Sequence, residues 1–471
     1  MATHPTGQLS PLHRQLIKQA QAWALRQGFD PAQARELRRA AILANHAHYL
    51  ERIPAYQRLA REEGLGSLDD IEPIKRRLMF PDDLFKSYNQ QWLDECNFTR
   101  MNVWLSQIFN GATGVDVSGV ESIDAWIDRL AEAGTRLVYS SGTSGNFSFV
   151  PRDPANWALF RAASSAYLAP LLVSRKIGTP LQRVLLVLAC RLLAPESLAQ
   201  INRHVGAREY DAFFLDFSRG RTGNQTLSRE LAPLFRQHYF LYETTLSPTV
   251  LRLTTRGPKT DADREQLRAL QEIVVERKEQ NYGALIEHLK TSTAAGQKIF
   301  IFGTTHQYKE LSELILARAE TFKAKAGSVI LFGGGWKSFT GERISREHLL
   351  ALMVEAFGLP EDRIIEGYSM TEINAFTLRC DFGRFHIPPF IEPVIFNEQL
   401  EVVEGDDLRG VFGFLDPLAT AYPGFIISGD EVHFVNGECE CGLSGAAVTE
   451  IGRASFREVK GCGGIMASLA A

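Results

Sequence analysis

No apolar run in this chain is long enough to cross a bilayer as a helix. The longest conspicuous one, residues 184–190, falls well short of the roughly 20 residues that a span requires. The first seven residues are polar and broken by proline, without the apolar stretch of a secretory signal. Cysteine is scarce, six in 471 residues, and so thinly spread that it does not read as a disulfide framework. An excess of basic charge is also missing. Lys and Arg number 51 against 55 Asp and Glu, a net charge of -4, which gives no electrostatic footprint for nucleic acid. These absences point away from membrane, secreted and nucleic-acid-binding classes and toward a reducing cytoplasm. What is present is ordinary for a globular protein, 45% hydrophobic and 23% charged residues. At this length that is core material for more than one lobe.

Residues 10–61 repeat apolar side chains at three- and four-residue spacing (Leu16, Ala20, Trp23, Ala24; Leu37, Ala40, Ala41, Ala44), which predicts helices. Residues 1–130 are expected to form a mainly helical entry region that packs on the core. Beyond it, strand, polar loop and helix alternate. Strands are predicted at 137–139, 183–189, 213–215, 297–302, 328–332 and 363–365, and helices at 157–173, 262–278, 311–319 and 345–357. Such alternation marks an α/β fold with its ligand loops at strand ends.

Several of those strand ends carry chemistry. After residues 137–139, Ser140, Ser141, Gly142, Thr143, Ser144 and Gly145 set hydroxyls among glycines. Glycine permits close convergence of backbone N–H groups, so the loop suits an anion with several oxygens, such as a nucleotide phosphate. Read alone, it is equally a Ser/Gly-rich surface turn. The strand at 328–332 runs into Gly333, Gly334, Gly335, Trp336 and Lys337, where a ring or phosphate can approach the backbone and Trp336 offers a stacking face. Lys337 is either a phosphate cation or a solvated loop lysine. The strand at 363–365 ends in Glu366-Gly-Tyr-Ser-Met-Thr-Glu372. Its hydroxyl and carboxylate are hard oxygen donors for Mg²⁺ beside a nucleotide, although Glu372 also fits a helix start. His306 follows Thr304 and Thr305 at another strand end, where it either lines an acid pocket or is structural. Cys439 and Cys441, with His433 near in sequence, could form part of a zinc site, but only three ligands are evident, which favours a purely structural role.

Together these stretches resemble the adenylate-forming superfamily of acyl-CoA synthetases, firefly-type luciferases and peptide-synthetase adenylation domains. Residues 140–145 are similar to its phosphate loop and residues 333–335 to its adenine-side glycines. Tyr368-Ser-Met-Thr-Glu372 resembles its Tyr-Gly-x-Thr-Glu, and Ser428-Gly-Asp430 the Thr-Gly-Asp whose carboxylate holds the ribose hydroxyls. Gly452-Arg453 resembles its hinge Gly-Arg. Within the superfamily, Phe85-Lys86, Pro151-Arg-Asp153, the Gly-Gly-Gly-Trp-Lys stretch and Lys460-Gly-Cys-Gly463 are most similar to the acyl-protein synthetases of bacterial bioluminescence systems. Phenylacetate–CoA ligases, with a Cys-x-Cys-Gly stretch like Cys439-Glu-Cys-Gly442, are next.

The resemblance implies a multilayer α/β adenylate-forming large domain at 131–450, with the helical region before it. Residues 451–471 would be a short hinge and a truncated C-terminal domain. It also implies a carboxylic acid, most simply a fatty acid, activated with ATP and Mg²⁺ as acyl-AMP. Glu372 would hold the metal, Thr371 would meet the α-phosphate, Asp430 the ribose, and His306 and Trp336 would line the acid and ring sites. The acyl group would pass to Cys462 and on to a partner protein, a reductase or carrier, with no nucleic acid or membrane involved. Lys460 would favour the Cys462 thiolate, the attacking form. Three departures stand out: Asn146-Phe-Ser148 replaces the usual phosphate-loop Lys, Ser369 replaces a Gly, and the chain stops at Ala471, where most relatives continue for a whole domain. The missing Lys leaves Arg453 or Lys337 to supply positive charge. Direct transfer from acyl-AMP to CoA, a carrier protein or an amine is the alternative, and a degenerate nucleotide-binding scaffold is another.

Overall fold

A computed structural model of the chain describes residues 9–140, 146–174, 180–195, 197, 207–336 and 342–454. No helix among them is long and apolar enough to cross a membrane. The N-terminal part is helical for local reasons. Pro11, Pro31 and Pro54 each stand in the first turn of a helix, Pro11–Leu25, Pro31–Arg52 and Pro54–Glu62, where a missing N–H leaves nothing unpaired. Ser10 and Asp30 cap the first two, and Asp30 accepts from the N–H groups of Ala32 and Gln33.

The described residues form fifteen strands, in chain order: β1 Phe80–Pro81, β2 Arg136–Ser140, β3 Ser148–Arg152, β4 Ala207–Arg219, β5 Phe235–Thr245, β6 Lys298–Thr304, β7 Val329–Gly333, β8 Ile364–Tyr368, β9 Thr377–Leu378, β10 Phe385–His386, β11 Glu392–Phe396, β12 Val402–Val403, β13 Asp407–Leu415, β14 Phe425–Glu438 and β15 Ser444–Arg453. They form three sheets. The first has the order β5-β4-β6-β7-β8-β9 and is parallel up to β8, with β9 antiparallel at its edge. The second, β10-β15-β14-β13-β11-β12, is antiparallel, and β1 joins β14. The third is the β2–β3 hairpin, with Ser140 opposite Ser148.

Burial follows these layers. Helices Lys278–Ala294, Thr305–Ala317 and Arg346–Phe357 cover one face of the parallel sheet through Tyr282, Ile286, Tyr308, Ile315, Met353 and Phe357. The N-terminal helices, the hairpin and the antiparallel sheet share a separate apolar core. Polar ties lock that core: Asn45 Nδ2 donates to Pro417 O at 3.0 Å, and Gly424 N–H donates to the Tyr49 hydroxyl at 3.2 Å.

Three sequence expectations differ from the structure, one in type and two in bounds. Residues 183–189 are part of a helix, Pro180–Leu192, and not a buried strand; Val184, Leu185 and Leu188 are exposed. A continuous apolar run has no period that separates a strand from a helix. The helix expected at 311–319 starts earlier, as Thr305–Ala317, because Thr304 and Gln307 form a capping box. The charged helix expected at 262–278 is Asp261–Gln271 followed by a π-helical turn, Glu272–Glu276.

Burial pushes the Asp216 carboxyl up to about 6, against hydrogen bonds from Phe217 N–H at 2.7 Å and Gln225 Nε2 at 3.2 Å. A carboxyl raised on folding favours the folded state below its unfolded pKa, near 3.8, and that benefit is lost as pH rises through about 6. Asp216→Asn should therefore exceed wild type in stability by roughly 1–3 kcal/mol at neutral pH. The difference should shrink toward zero near the unfolded carboxyl's pKa. Denaturant unfolding across that pH range checks it, and a pH-independent difference would contradict it.

Candidate active site

The hairpin strand β3 is fastened along one edge to the segment after β8. Side chains four apart on a strand share a face, and Ser148 and Arg152 use this to reach two neighbouring points. The Ser148 hydroxyl donates to Glu372 Oε1 at 2.9 Å. Arg152, 4% exposed, donates from Nη2 to Thr371 O at 2.9 Å and from Nη1 to Asn374 Oδ1. Asn374 in turn gives both its backbone N–H and its side-chain amide to Asp416 Oδ2, at 2.7 and 2.8 Å. Tyr422 OH closes the network on Glu372 O at 3.0 Å, and the Arg152 guanidinium lies over the rings of Phe160, Tyr422 and Trp157. Burial raises the Asp416 pKa, and the N–H groups of Asn374 and Leu418 pull it down.

Glu372 is 8% exposed and meets Ser148 at the start of β3, opposite Ser140 at the end of β2. Its carboxylate and the Ser148 hydroxyl bonded to it are hard oxygen donors, and Thr371 precedes it in the chain. Such a set fits Mg²⁺, which takes one or two carboxylates and completes its shell with water and phosphate. Thr371 Oγ1 would lie 3.3 Å from a Cβ at position 223, so glycine lets helix Gly223–Leu231 begin against it. That helix presents a partly positive N-terminus there.

Tyr368, Asp430 and Arg453, expected on the ribose side, meet at the other end of the same loop. Tyr368 OH donates to Asp430 Oδ2 at 2.9 Å, and Arg453 Nη1 lies 3.1 Å from Asp430 Oδ1, its partner across β14 and β15. Burial and the Asp430 charge push the Tyr368 phenol well above its ordinary range, so it stays a donor. Ser369, in the place of the usual Gly, donates to Ala375 O at 2.8 Å. Glu366 is paired with Arg346 at 2.8 Å.

The remaining expected residues divide into two groups. Ser141, Gly142, Thr143, Ser144, Gly145, Lys337 and Cys462 lie outside the described residues. Ser140 ends β2. Gly333 pairs with Gly367, and a Cβ there would sit 2.5 Å from Gly367 O. This glycine therefore serves strand packing. Gly334 and Gly335 have φ of +85° and +57°, which turn the chain toward Trp336. His306 is in the first turn of its helix, its Nδ1 3.1 Å from the Thr304 hydroxyl, and burial lowers its pKa. His433 does not join Cys439 and Cys441. It bonds Asp407 at 2.8 Å and the Thr449 hydroxyl at 3.0 Å, and Cys380 and His386 approach the two cysteines instead.

Arg152, Asn374, Asp416 and Tyr422 were not legible as a unit, since each comes from a different stretch of chain. Pro151-Arg-Asp153 was the one available signal. Arg256 was also missed: its Nη2 donates to Asn146 Oδ1 at 2.7 Å, which sets a guanidinium beside the end of the hairpin loop.

This architecture is the adenylate-forming fold. A crystal structure of 2-hydroxyisobutyryl-CoA ligase, in an open conformation with 2-HIB-AMP and CoA, aligns with a TM-score of 0.50 and 12% identity, over 91% of this chain and 71% of that one. Another crystal structure of that ligase, in the postadenylation state, gives a TM-score of 0.49 at 12% identity over 96% and 73% of the two chains. Residues 274–470 match the family described as acyl-protein synthetase, LuxE. The long-chain-fatty-acid–luciferin-component ligase of Aliivibrio fischeri is 24% identical over 200 residues, 42% of this chain and 53% of that protein. The chain thus spans about half the length of this curated relative, and over its C-terminal part it resembles the acyl-protein synthetases.

Removing a buried cation from a network costs far more than removing an exposed one. Arg152→Gln should lose roughly 3–5 kcal/mol, since it leaves buried partners unpaired. Glu450→Gln, which breaks an exposed pair with Arg409, should leave stability unchanged. Equilibrium unfolding of both variants tests the contrast, and a mild effect of Arg152→Gln would remove it from its central place.

Proposed function

We propose that this chain is an acyl-adenylate-forming ligase that activates a carboxylic acid, a long-chain fatty acid by likeness to the luciferin-component ligase, and passes the acyl group through Cys462 to a partner protein. The observation that carries this reading is the 2.9 Å contact from Ser148 to Glu372. It brings the base of the Ser/Thr/Gly hairpin to the one carboxylate suited to a nucleotide-bound metal, from 224 residues away. Adenylation needs those two features side by side.

The division of labour follows from charge. The carboxylate oxygen of the acid attacks the α-phosphorus, the new O–P bond forms, and the bond to pyrophosphate breaks. Two anions must be held together, so positioning and electrostatic stabilisation carry most of the catalysis. Residues 140–145 would cradle the β- and γ-phosphates, and Arg256, beside Asn146, would supply the charge that the missing Lys leaves open. Thr371 and the N-terminus of helix Gly223–Leu231 would face the α-phosphate. Asp430, oriented by Tyr368 and Arg453, would accept from the ribose hydroxyls. Glu372 would hold Mg²⁺, which when bound neutralises phosphate charge. The Cys462 thiolate would then attack the acyl carbonyl, forming a thioester and releasing AMP.

The test is carboxylate-dependent ATP–pyrophosphate exchange, followed by covalent labelling. Wild type should exchange with a competent fatty acid. Glu372→Gln should lose exchange while keeping its fold, and Arg256→Ala should raise the KM for ATP. Cys462→Ala should still exchange but should not carry the hydroxylamine-labile acyl group that wild type gains. Undiminished exchange in Glu372→Gln would remove its metal role, and labelling of Cys462→Ala would point to direct transfer from the adenylate.

A further inference from the structure

The described residues hold a second constellation, distant in kind from nucleotide chemistry. Cys380, His386, Cys439 and Cys441 present one ligand atom each, and all four atoms lie within 4.8 Å of one another. Cys380 Sγ is 3.9 Å from Cys439 Sγ, and Cys441 Sγ is 3.2 Å from His386 Nε2. A tetrahedral ion with bonds of about 2.3 Å to sulfur spaces its sulfurs at roughly 3.8 Å. The Cys380–Cys439 pair already has that spacing, and the other ligand atoms lie within 4.8 Å.

Two tight turns build it. In the first, Cys380 N–H donates to Arg384 O at 2.8 Å and Gly383 N–H, at φ +79°, donates back to Cys380 O at 3.0 Å. His386 follows at the end of β10. In the second, Cys439 N–H donates to Leu443 O at 2.9 Å and Gly442 N–H, at φ +85°, donates to Cys439 O at 2.8 Å. Each turn therefore delivers two ligands from a backbone fixed by its own hydrogen bonds. Arg384 reaches from the first turn to Glu438 O at 2.9 Å, and Arg26 reaches from the N-terminal helices to Cys441 O at 2.8 Å. Both guanidiniums bring positive charge to a site that would carry net charge of -1 with three thiolates and a neutral imidazole around a divalent ion. His386 Nδ1 is buried without a hydrogen-bond partner among the described residues, so no competing acceptor fixes the ring away from the sulfurs.

We propose that these four residues bind one Zn²⁺ as a structural Cys₃His site. Sulfur and imidazole donors in a closed tetrahedron select zinc over Mg²⁺ or Ca²⁺, which take oxygen. Binding releases the three thiol protons as the thiolates form bonds to the ion. The place of the site in the fold gives it a purpose. Cys380 follows β9, the edge of the parallel sheet, whereas His386 ends β10 and Cys439 and Cys441 lie between β14 and β15 of the antiparallel sheet. The ion staples the two sheets where they meet. It thereby fixes β14 and β15, which carry Asp430 and Arg453, against Tyr368 at the end of β8.

The test uses the full chain, purified without chelator from zinc-supplemented cells. Elemental analysis should give about one zinc per chain, and titration of the thiols with an organomercurial should release it in step. Replacement by Co²⁺ should give the intense visible bands of tetrahedral cobalt and a thiolate charge-transfer band. Cys439→Ser/Cys441→Ser should lose the metal and melt at lower temperature, while Cys96→Ser should keep it. Folded wild type that takes up no zinc on reconstitution, a Cys380–Cys439 disulfide found by mass spectrometry, or full zinc content in the double variant would each overturn the proposal. Should the double variant fail to fold, the wild-type titration decides alone.

Discussion

A single buried guanidinium holds the candidate site in shape. Arg152 has no water to solvate it, so its charge must be met by neighbours, and the neighbours it selects are the Thr371 carbonyl and the Asn374 amide. Each satisfied partner in such a buried network rigidifies it. Asn374 is therefore fixed by Asp416, and Tyr422 by Glu372 O. The result is that residues 371–374 cannot move independently of β3. Ser148, on the same face of that strand, then meets Glu372 without any further adjustment.

The candidate site lies between separate cores. The parallel sheet buries its own helices, and the antiparallel sheet shares its core with the N-terminal helices and the hairpin. The loop after β8 runs from one to the other. Tyr368 faces Asp430 on the antiparallel side, and Thr371 faces the start of helix Gly223–Leu231. A nucleotide held along that loop would touch both sheets, which is why their relative placement matters and why a staple between β9, β10 and the β14–β15 turn would be useful there.

Much of this was legible from residues alone, in a particular way. The strand ends at Ser140 and Tyr368 were marked by glycines and hydroxyls after apolar runs, and the structure brings Tyr368 and Asp430, two of the expected residues, into contact, whereas Gly333 serves strand packing. Arg152, Asn374 and Asp416 were not marked in this way, because a buried network is defined by partners more than 200 residues apart, such as Arg152 and Asn374. The proposed zinc ligands were half visible. Cys439 and Cys441 stood together, but strand pairing brings in His386, opposite Ala447 on β15, and leaves His433 bonded to Asp407. Residues 183–189 were misassigned because an unbroken apolar run has no period to read.

The joining of hairpin and carboxylate into one site is the claim on which the functional reading depends. A double-mutant cycle on ATP–pyrophosphate exchange, with Ser148→Ala, Glu372→Asp and both together, measures it directly. Residues in contact within one network couple by roughly 0.5–3 kcal/mol. Non-additive losses of that size are expected, the double variant being scarcely worse than Glu372→Asp alone. Losses that simply add, in variants that remain folded, would contradict a shared site.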